Sequence, residues 1–427
     1  MEAPTAALDR PPPLAAERLR RRCDPAELGF ATTAEVEEPV DIVDQSRAID
    51  AVRFGIAIKR AGFNLFVLGS PGSGRHAAVR RLLLARAADE PVPGDICYVN
   101  NFTEPDRPCL LQLPPGRGAK FKADMEQFVA ELATAITAAF ESDEYRTRIE
   151  AIHEEFKEKE EKALRELGQA SAETGVALLR TPHGFAFSPI KDEETMKTED
   201  FEALPDEEKK RYAKLMEEHG EQLARLMHQI PRWRRKMEVR IKDIGRETMQ
   251  FAVGHLIEDL KGHYTDLANV GSFLDAVMDD VIESAEELRE APKTEDGIAT
   301  ITGMLPLGRY QVNLFVDNGT TGAAPVVVED NPIYPNLVGR VDHVAHMGTL
   351  VTNFTMIVAG ALHRAQGGYL MLDADKLLRH PYSWEGLKRA LKSGQVRIES
   401  LGQIYGLTST ESLTPEPMPL SVKVVLV

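Results

Sequence analysis

The stretch Phe-Asn-Leu-Phe-Val-Leu-Gly-Ser-Pro-Gly-Ser-Gly-Arg-His-Ala, at residues 63–77, decides the fold of this chain. It begins with an apolar run typical of a buried strand, passes through closely spaced glycines, and leads into a segment with a helical pattern. Glycines at such a turn let backbone N–H groups converge, and the first N–H groups of the following helix lack partners. The order of strand, glycine loop and helix predicts a phosphate-binding loop.

The loop departs from the usual phosphate-binding sequence at two positions. The pattern G-x-x-x-x-G-K-[ST] ends in a lysine that reaches the outer phosphates and a hydroxyl that holds Mg²⁺. Here Arg75 and His76 stand at those positions. Arginine keeps the positive charge, but its planar group is larger than an ammonium, and histidine has no hydroxyl for a metal. A glycine-rich turn without any ligand has the same frame, so the loop alone leaves both interpretations open. The candidate nucleotide-binding residues of the loop are Gly69, Pro71, Gly72, Ser73, Gly74, Arg75 and His76.

Composition argues against several classes of protein. The chain has 427 residues, of which 43% are apolar, and a formal net charge of -16. A negative field repels nucleic-acid backbones and anionic membranes, so we expect neither as a partner. No apolar run has the roughly 18 residues that a membrane span needs, and the N-terminus lacks a signal-peptide core, which favours a cytoplasmic location. The 3 cysteines form no C-x-x-C pair, which argues against a disulfide framework or a zinc site.

The pattern along the chain predicts an α/β domain that is interrupted by a helical one. Residues 1–18, rich in alanine and proline, read as a disordered tail. Residues 19–119 form the first part of the α/β domain and contain the glycine loop, and residues 296–427 form the second part. Residues 120–295 form the helical insertion between them. A buried apolar run at residues 95–102, after the loop and its helix, predicts the next strand of the same parallel sheet.

The insertion has the pattern of a coiled coil. A heptad seam runs through Tyr212, Leu215, His219, Leu223, Leu226, Ile230, Trp233 and Met237. With a second helical segment upstream, it predicts an antiparallel hairpin of helices that projects on the order of 50 Å from the sheet. Residues 175–190 predict a small β-hairpin at its tip. There Phe185 and Phe187 either grip an unfolded substrate or a neighbouring subunit, or cap the coiled coil, and we favour the cap because a hairpin needs a packed face.

A second candidate for the nucleotide site lies far downstream. Tyr369-Leu370-Met371-Leu372 is an apolar strand that ends in Asp373. A carboxylate at the end of a buried parallel strand beside a phosphate loop is where Mg²⁺ is usually held, so Asp373 is the candidate metal residue and completes the cofactor-binding set. In many ATPases the next residue is a glutamate that activates the attacking water, but here it is Ala374. Asp375 could serve only if the strand end bends.

Several further segments resemble a known family. They are Asp330-Asn331-Pro332, Asn336-Leu337-Val338-Gly339-Arg340, Gly348-Thr349-Leu350, the run Ala359-Gly360-Ala361-Leu362-His363-Arg364-Ala365-Gln366-Gly367-Gly368-Tyr369-Leu370, and Trp384-Glu385-Gly386-Leu387. Together they resemble the AAA+ region of Lon-related proteases, in particular the Lon-like branch with a long helical insertion. The resemblance covers nearly the whole chain from about residue 19.

That resemblance implies a P-loop NTPase (AAA+) fold in an ATP-dependent serine endopeptidase, assembled as a homo-oligomeric ring, usually a hexamer. It implies ATP or ADP with Mg²⁺ as cofactor and unfolded polypeptides as substrates. Arg75, His76 and Ala374 depart from the family pattern, which predicts nucleotide binding with weak or absent hydrolysis. The chain ends before the family's sensor, lid and Ser-Lys protease domain, so we expect no peptide-bond nucleophile within it. The alternative is a non-hydrolytic AAA+ ring scaffold that guides substrate or docks partners through its coiled-coil arm.

Overall fold

The computed structural model describes residues 14–20, 23–36, 45–60, 62–70, 72–181, 184–191, 194–196, 198–290, 306–346, 349–400, 402 and 413–427. The chain divides into two units, Met1–Ala57 and Ile58–Val427, and each is described by itself. Within its described residues the first unit contains three short 3₁₀ turns and helix α1 (Ser46–Ala57), on which Val52 and Ile56 are buried. The candidate site lies wholly in the second unit.

The second unit contains eleven helices and sixteen strands in its described part. The helices are α2 (Arg75–Ala87), α3 (Arg117–Glu141), α4 (Asp143–Glu173), α5 (Thr198–Glu202), α6 (Asp206–Gly262), α7 (Ala268–Glu283), α8 (Ala285–Glu290), α9 (Tyr334–Val338), α10 (Ala361–Arg364), α11 (Ala374–Leu378) and α12 (Pro381–Ser393). The strands are β1 (Leu65–Phe66), β2 (Asp95–Val99), β3 (Cys109–Leu113), β4 (Val176–Thr181), β5 (Gly184–Lys191), β6 (Glu194–Thr195), β7 (Val312–Val316), β8 (Val326–Glu329), β9 (Arg340–Val341), β10 (Val344–His346), β11 (Thr349–Val351), β12 (Ile357–Val358), β13 (Tyr369–Leu372), β14 (Gln395–Val396), β15 (Met418–Pro419) and β16 (Lys423–Leu426).

Four parallel strands form the sheet that carries the candidate site. Their order is β1-β16-β13-β8, and every pairing between neighbours is parallel. All four residues of β13 are buried, as expected for a parallel strand that is covered on both faces. Because parallel strands end at the same edge, the residues that follow β1, β13 and β8 lie along one side of this sheet. This mixed α/β arrangement with a parallel sheet and a long helix is compatible with the AAA+ fold.

The strand after the glycine loop does not join this sheet, so the prediction that residues 95–102 continue it is wrong. Strand β2 lies in a separate antiparallel sheet with the order β3-β2-β7. The chain returns from β2 to β3 through a connection that is too short for the crossover helix of a parallel pair. A fully buried apolar strand has the same residue pattern in a parallel and in an antiparallel sheet, so the residues of β2 do not show which kind of sheet it joins.

The antiparallel sheet rests on the helical region. One apolar cluster joins residues of β2 and β3 to the inner faces of α3, α6 and α7, with Phe121, Met125, Met249 and Leu274 completely buried. The carboxylate of Asp95, also completely buried, accepts hydrogen bonds from the backbone N–H groups of Gly118 and Asn318, both at 2.8 Å. The helical region is therefore fixed to the sheet by apolar packing and by a hydrogen-bonded carboxylate.

Helices α4 and α6 lie side by side and antiparallel. Three pairs of side chains follow opposite numerical order on the two helices: Arg148 with Glu247 (2.7 Å), Glu155 with Arg240 (2.8 Å), and the Lys159 ammonium over the ring of Trp233 (4.6 Å). Exposed ion pairs contribute only about 0–1 kcal/mol each. These contacts therefore show that the two helices are antiparallel but add little to their stability. Knobs-into-holes packing of a coiled coil stays a prediction.

Strands β4 and β5 pair antiparallel at the far end of these helices, with Leu178 opposite Phe187. The Phe187 ring lies 5.7 Å from the ring of His219, and the His219 Nε2 atom is 2.8 Å from the Thr174 hydroxyl. Phe187 is only partly exposed. These contacts favour the interpretation in which the aromatic residue packs onto the ends of the helices.

A buried histidine lies at the start of α10. The Gly360 backbone N–H donates to His363 Nδ1 (3.1 Å), so the proton of the neutral ring is on Nε2. The ring is 0% exposed and meets Phe315 edge to face at 4.7 Å. Burial, and next the charge of Arg364, lower the pKa of His363 from 6.5 to about 3. The folded chain therefore excludes the proton that this histidine binds when unfolded.

We expect this histidine to weaken the fold in acid. Between pH 6.5 and about 3 the unfolded chain binds a proton at residue 363 that the folded chain excludes, so stability falls as the pH falls. The contribution is at most about 1.4 kcal/mol per pH unit. In His363→Asn, whose side-chain oxygen can still accept from Gly360, unfolding midpoints should depend less steeply on pH across this window. His153→Asn on the exposed face of α4 is the control. Equal slopes in wild type and His363→Asn would contradict the assignment.

Candidate phosphate-binding site

The glycine loop connects the edge strand of the parallel sheet to α2. After β1, the Val67 backbone N–H donates to the carbonyl of Leu426 (2.8 Å), and the chain then leaves the sheet. Gly72 and Gly74 have φ values of 79° and 72°, a left-handed conformation that costs other residues roughly 1–2 kcal/mol. Gly74 is the N-cap of α2, so the unpaired N–H groups at the start of this 13-residue helix adjoin the loop. Pro71 lies outside the described residues.

Arg75 folds back onto the loop that precedes it. Its Nη1 atom donates to the carbonyl oxygen of Gly69 in a short hydrogen bond and lies 3.3 Å from the carbonyl oxygen of Ser70. A methyl group placed on Gly69 would lie 3.1 Å from the Ser73 hydroxyl and 3.5 Å from Arg75 Cδ, so the loop is closely wrapped there. The Nε atom of Arg75 is buried and has no hydrogen-bond acceptor within the described part of the chain. The loop thus contains a positive charge and an unsatisfied donor.

Asp373 is brought to the same place by the sheet. It follows β13 directly, and its Oδ1 atom accepts from the backbone N–H of Lys376 (3.1 Å) as the N-cap of α11. Its Oδ2 atom lies 3.9 Å from Nε2 of His76, which is an ion pair when the imidazole is protonated. The side chain of Asp373 is 29% exposed and that of His76 is 50% exposed. The structure therefore brings His76, at the start of α2, into contact with Asp373 at the end of β13.

The loop and the acidic residue differ in how well they fit their expected ligands. Glycine backbone, a helix N-terminus and the Arg75 guanidinium are the groups that bind phosphate in proteins. Mg²⁺ prefers an octahedron of oxygen ligands, including carboxylates and phosphates. Around Asp373 the nearest loop side chain offers an imidazole nitrogen instead, and the described residues contain no group of three or more candidate metal ligands. The residues fit a phosphate but not a magnesium ion.

The residues after Asp373 do not supply a second free carboxylate. Ala374 is buried, and the carboxylate of Asp375 pairs at 2.7 Å with Arg379, the residue that caps the C-terminus of the same short helix. Sequence reasoning missed Glu329, which ends β8 opposite Leu372 of β13. The Glu329 carboxylate accepts from Arg364 Nη2 at 3.0 Å. The signal was present, because the run Val-Val-Val-Glu places an acidic residue at the end of an apolar strand.

Asp373 should stabilise the fold as a helix cap, whatever it binds. Replacing an N-cap aspartate by alanine costs typically about 1 kcal/mol, whereas asparagine is an equally good cap. We expect Asp373→Ala to lower the free energy of unfolding by about that amount and Asp373→Asn to leave it nearly unchanged. Urea unfolding followed by circular dichroism measures both. If Asp373→Asn were as destabilised as Asp373→Ala, the negative charge rather than the cap would be the stabilising feature.

Two parts of the chain match described protein families. Residues 322–427, which contain β8, β13 and β16, match the LonB-like AAA domain. Residues 95–128, from β2 into α3, match the Lon-like LonC helical domain. No curated protein matches the chain. No helix in the described ranges is long and apolar enough to cross a membrane. The two matches support a relationship between this chain and the Lon-related proteins, through a region similar to the LonB-like AAA domain and a region similar to the LonC helical domain.

Proposed function

We propose that the chain is the nucleotide-binding AAA+ module of a Lon-like ATP-dependent serine protease, and that it binds ATP or ADP through residues 69–76. The observation that carries the proposal is the position of Arg75. Its guanidinium lies within a loop of left-handed glycines at the start of α2, on the sheet edge where Asp373 also lies. Charge-assisted hydrogen bonds from arginine to phosphate are about twice as strong as neutral ones.

Binding without rapid hydrolysis is the expected chemistry of this site. Phosphoryl transfer depends on metal ions that neutralise charge and on a residue that orients the attacking water. His76 offers no hydroxyl oxygen to hold the metal ion, and Ala374 offers no carboxylate to orient the attacking water. Two further carboxylates near this edge, those of Glu329 and Asp375, pair with arginines. Nucleotide would then act chiefly as a structural or regulatory ligand.

The module would work within a homo-oligomeric ring that handles polypeptide substrates. This part of the proposal rests on the LonB-like and LonC matches, and the paired helices α4 and α6 would supply its projecting arm. We assign no peptide-bond nucleophile to residues 1–427. The second candidate, a scaffold that needs no nucleotide, is favoured by one observation. The hydrogen bonds from Arg75 Nη1 to the carbonyls of Gly69 and Ser70 hold the side chain against the loop without any ligand.

Calorimetric titration with ATP or ADP tests the proposal. Wild type should bind, and Arg75→Ala should weaken binding by roughly 10- to 100-fold because a charged hydrogen bond is worth about 1.5–3 kcal/mol. Arg225→Ala, which removes an exposed arginine from α6, is the matched control and should bind like wild type.

The outcome that would contradict nucleotide binding is the absence of both heat and thermal shift with wild type at millimolar nucleotide. In that case the combined variant Arg75→Lys with His76→Ser separates the two functions. If that variant gains binding where wild type has none, the scaffold is correct and the native loop has lost its ligand.

A further inference from the structure

The end of the phosphate loop and the end of β13 are joined by a side-chain contact at the place where a magnesium ion would be expected. His76 Nε2 lies 3.9 Å from Asp373 Oδ2, and the other carboxylate oxygen accepts the Lys376 backbone N–H. We propose that this site binds nucleotide without a metal ion, with Arg75 providing the charge that Mg²⁺ would otherwise provide. The inference rests on the proposed nucleotide binding and specifies the form of the ligand.

The donor set argues against magnesium. Mg²⁺ sheds its water reluctantly and is usually held by one or two carboxylates together with substrate phosphates. Carboxylate, carbonyl and water oxygens suit this ion, whereas imidazole suits softer transition metals. Here the one carboxylate at the end of β13 already has a hydrogen-bond donor on one oxygen and His76 close to the other. The loop residue that faces it has no oxygen to add.

A positively charged side chain already lies beside the loop backbone that would bind the phosphate oxygens. The Arg75 guanidinium adjoins the loop backbone, and its buried Nε atom lacks an acceptor in the described structure. A ligand oxygen would satisfy that donor, and the other guanidinium hydrogens could leave the carbonyls of Gly69 and Ser70 for a stronger, charged acceptor. Arginine presents up to five N–H donors in a fixed plane, so one side chain can hold two phosphate oxygens. The site can therefore offset phosphate charge with its own residues.

A second protein cation, the ammonium of Lys376, lies near the sheet edge that carries Asp373. The Lys376 ammonium donates to the backbone carbonyl of Asp330 (3.0 Å), at the end of β8, and is held close to the same sheet edge. Arg75 and Lys376 are thus two protein cations at the sheet edge that carries Asp373. A divalent cation added beside Arg75 and Lys376 would place like charges near one another. Nucleotide without a metal ion adds no positive charge, so it meets no such repulsion.

Titration with ATP in the presence of either EDTA or excess MgCl₂ tests the inference, with the heat of binding as the readout. We expect the Kd in EDTA to be equal to that in MgCl₂ within about twofold, or lower. Binding that is tighter in MgCl₂ by about tenfold or more would overturn the inference while leaving nucleotide binding intact. Absence of binding in both buffers would instead contradict the proposed function on which the inference rests.

His76→Ser provides the complementary test, because it adds the hydroxyl and releases the Asp373 oxygen. We expect this variant to acquire a magnesium dependence, with ATP binding tightened by about tenfold in MgCl₂ relative to EDTA. His153→Ser, on the exposed face of α4, is the control and should behave like wild type in both buffers. A His76→Ser variant that stays insensitive to magnesium would overturn the role assigned to His76.

Discussion

The candidate site depends on one constraint, which is the parallel pairing of β16 with both β1 and β13. Leu65 and Phe66 pair with Val425 and Leu426, and Met371 and Leu372 pair with the same two residues from the other side. Neighbouring strands are about 4.8 Å apart, so the ends of β1 and β13 are separated by about 10 Å. That spacing brings His76 into reach of Asp373, although the two residues are separated by most of the chain. The long helices between them pack against the separate β3-β2-β7 sheet, and the parallel sheet takes no described strand from that region.

Electrostatics at this edge are balanced by protein groups alone. The Nη1 atom of Arg75 donates to loop carbonyls while its Nε atom has no acceptor among the described residues. Asp373 accepts from a helix N–H and lies beside a histidine, and Glu329 pairs with Arg364. Such internal pairing lets the loop persist without a ligand, and it sets the cost of binding, because a phosphate must compete with carbonyl oxygens for the guanidinium. In a partly buried site, a charged acceptor forms a stronger hydrogen bond with the guanidinium than a neutral carbonyl oxygen does. This competition is the physical reason to expect nucleotide binding at the loop.

Much of this arrangement could be predicted from the sequence, and the rest could not for identifiable reasons. The glycine loop and the apolar strand before Asp373 are local patterns, and the Lon-related family followed from local motifs as well. The direction of β2 was predicted wrongly, because burial on both faces removes the alternation that distinguishes strand environments. The contact of His76 with Asp373 and the ion pair of Glu329 with Arg364 arise between segments that are distant in sequence or on different elements. No periodicity in the chain encodes them.

A crystal structure of this chain with ADP at saturating concentration tests nucleotide binding most directly. We expect phosphate density against the backbone N–H groups of residues 72–76, with the Arg75 guanidinium turned from the carbonyls of Gly69 and Ser70 onto the phosphate. We expect no metal ion beside Asp373. A loop without nucleotide, in which Arg75 keeps its bonds to both carbonyls, would show that this loop is not a phosphate site.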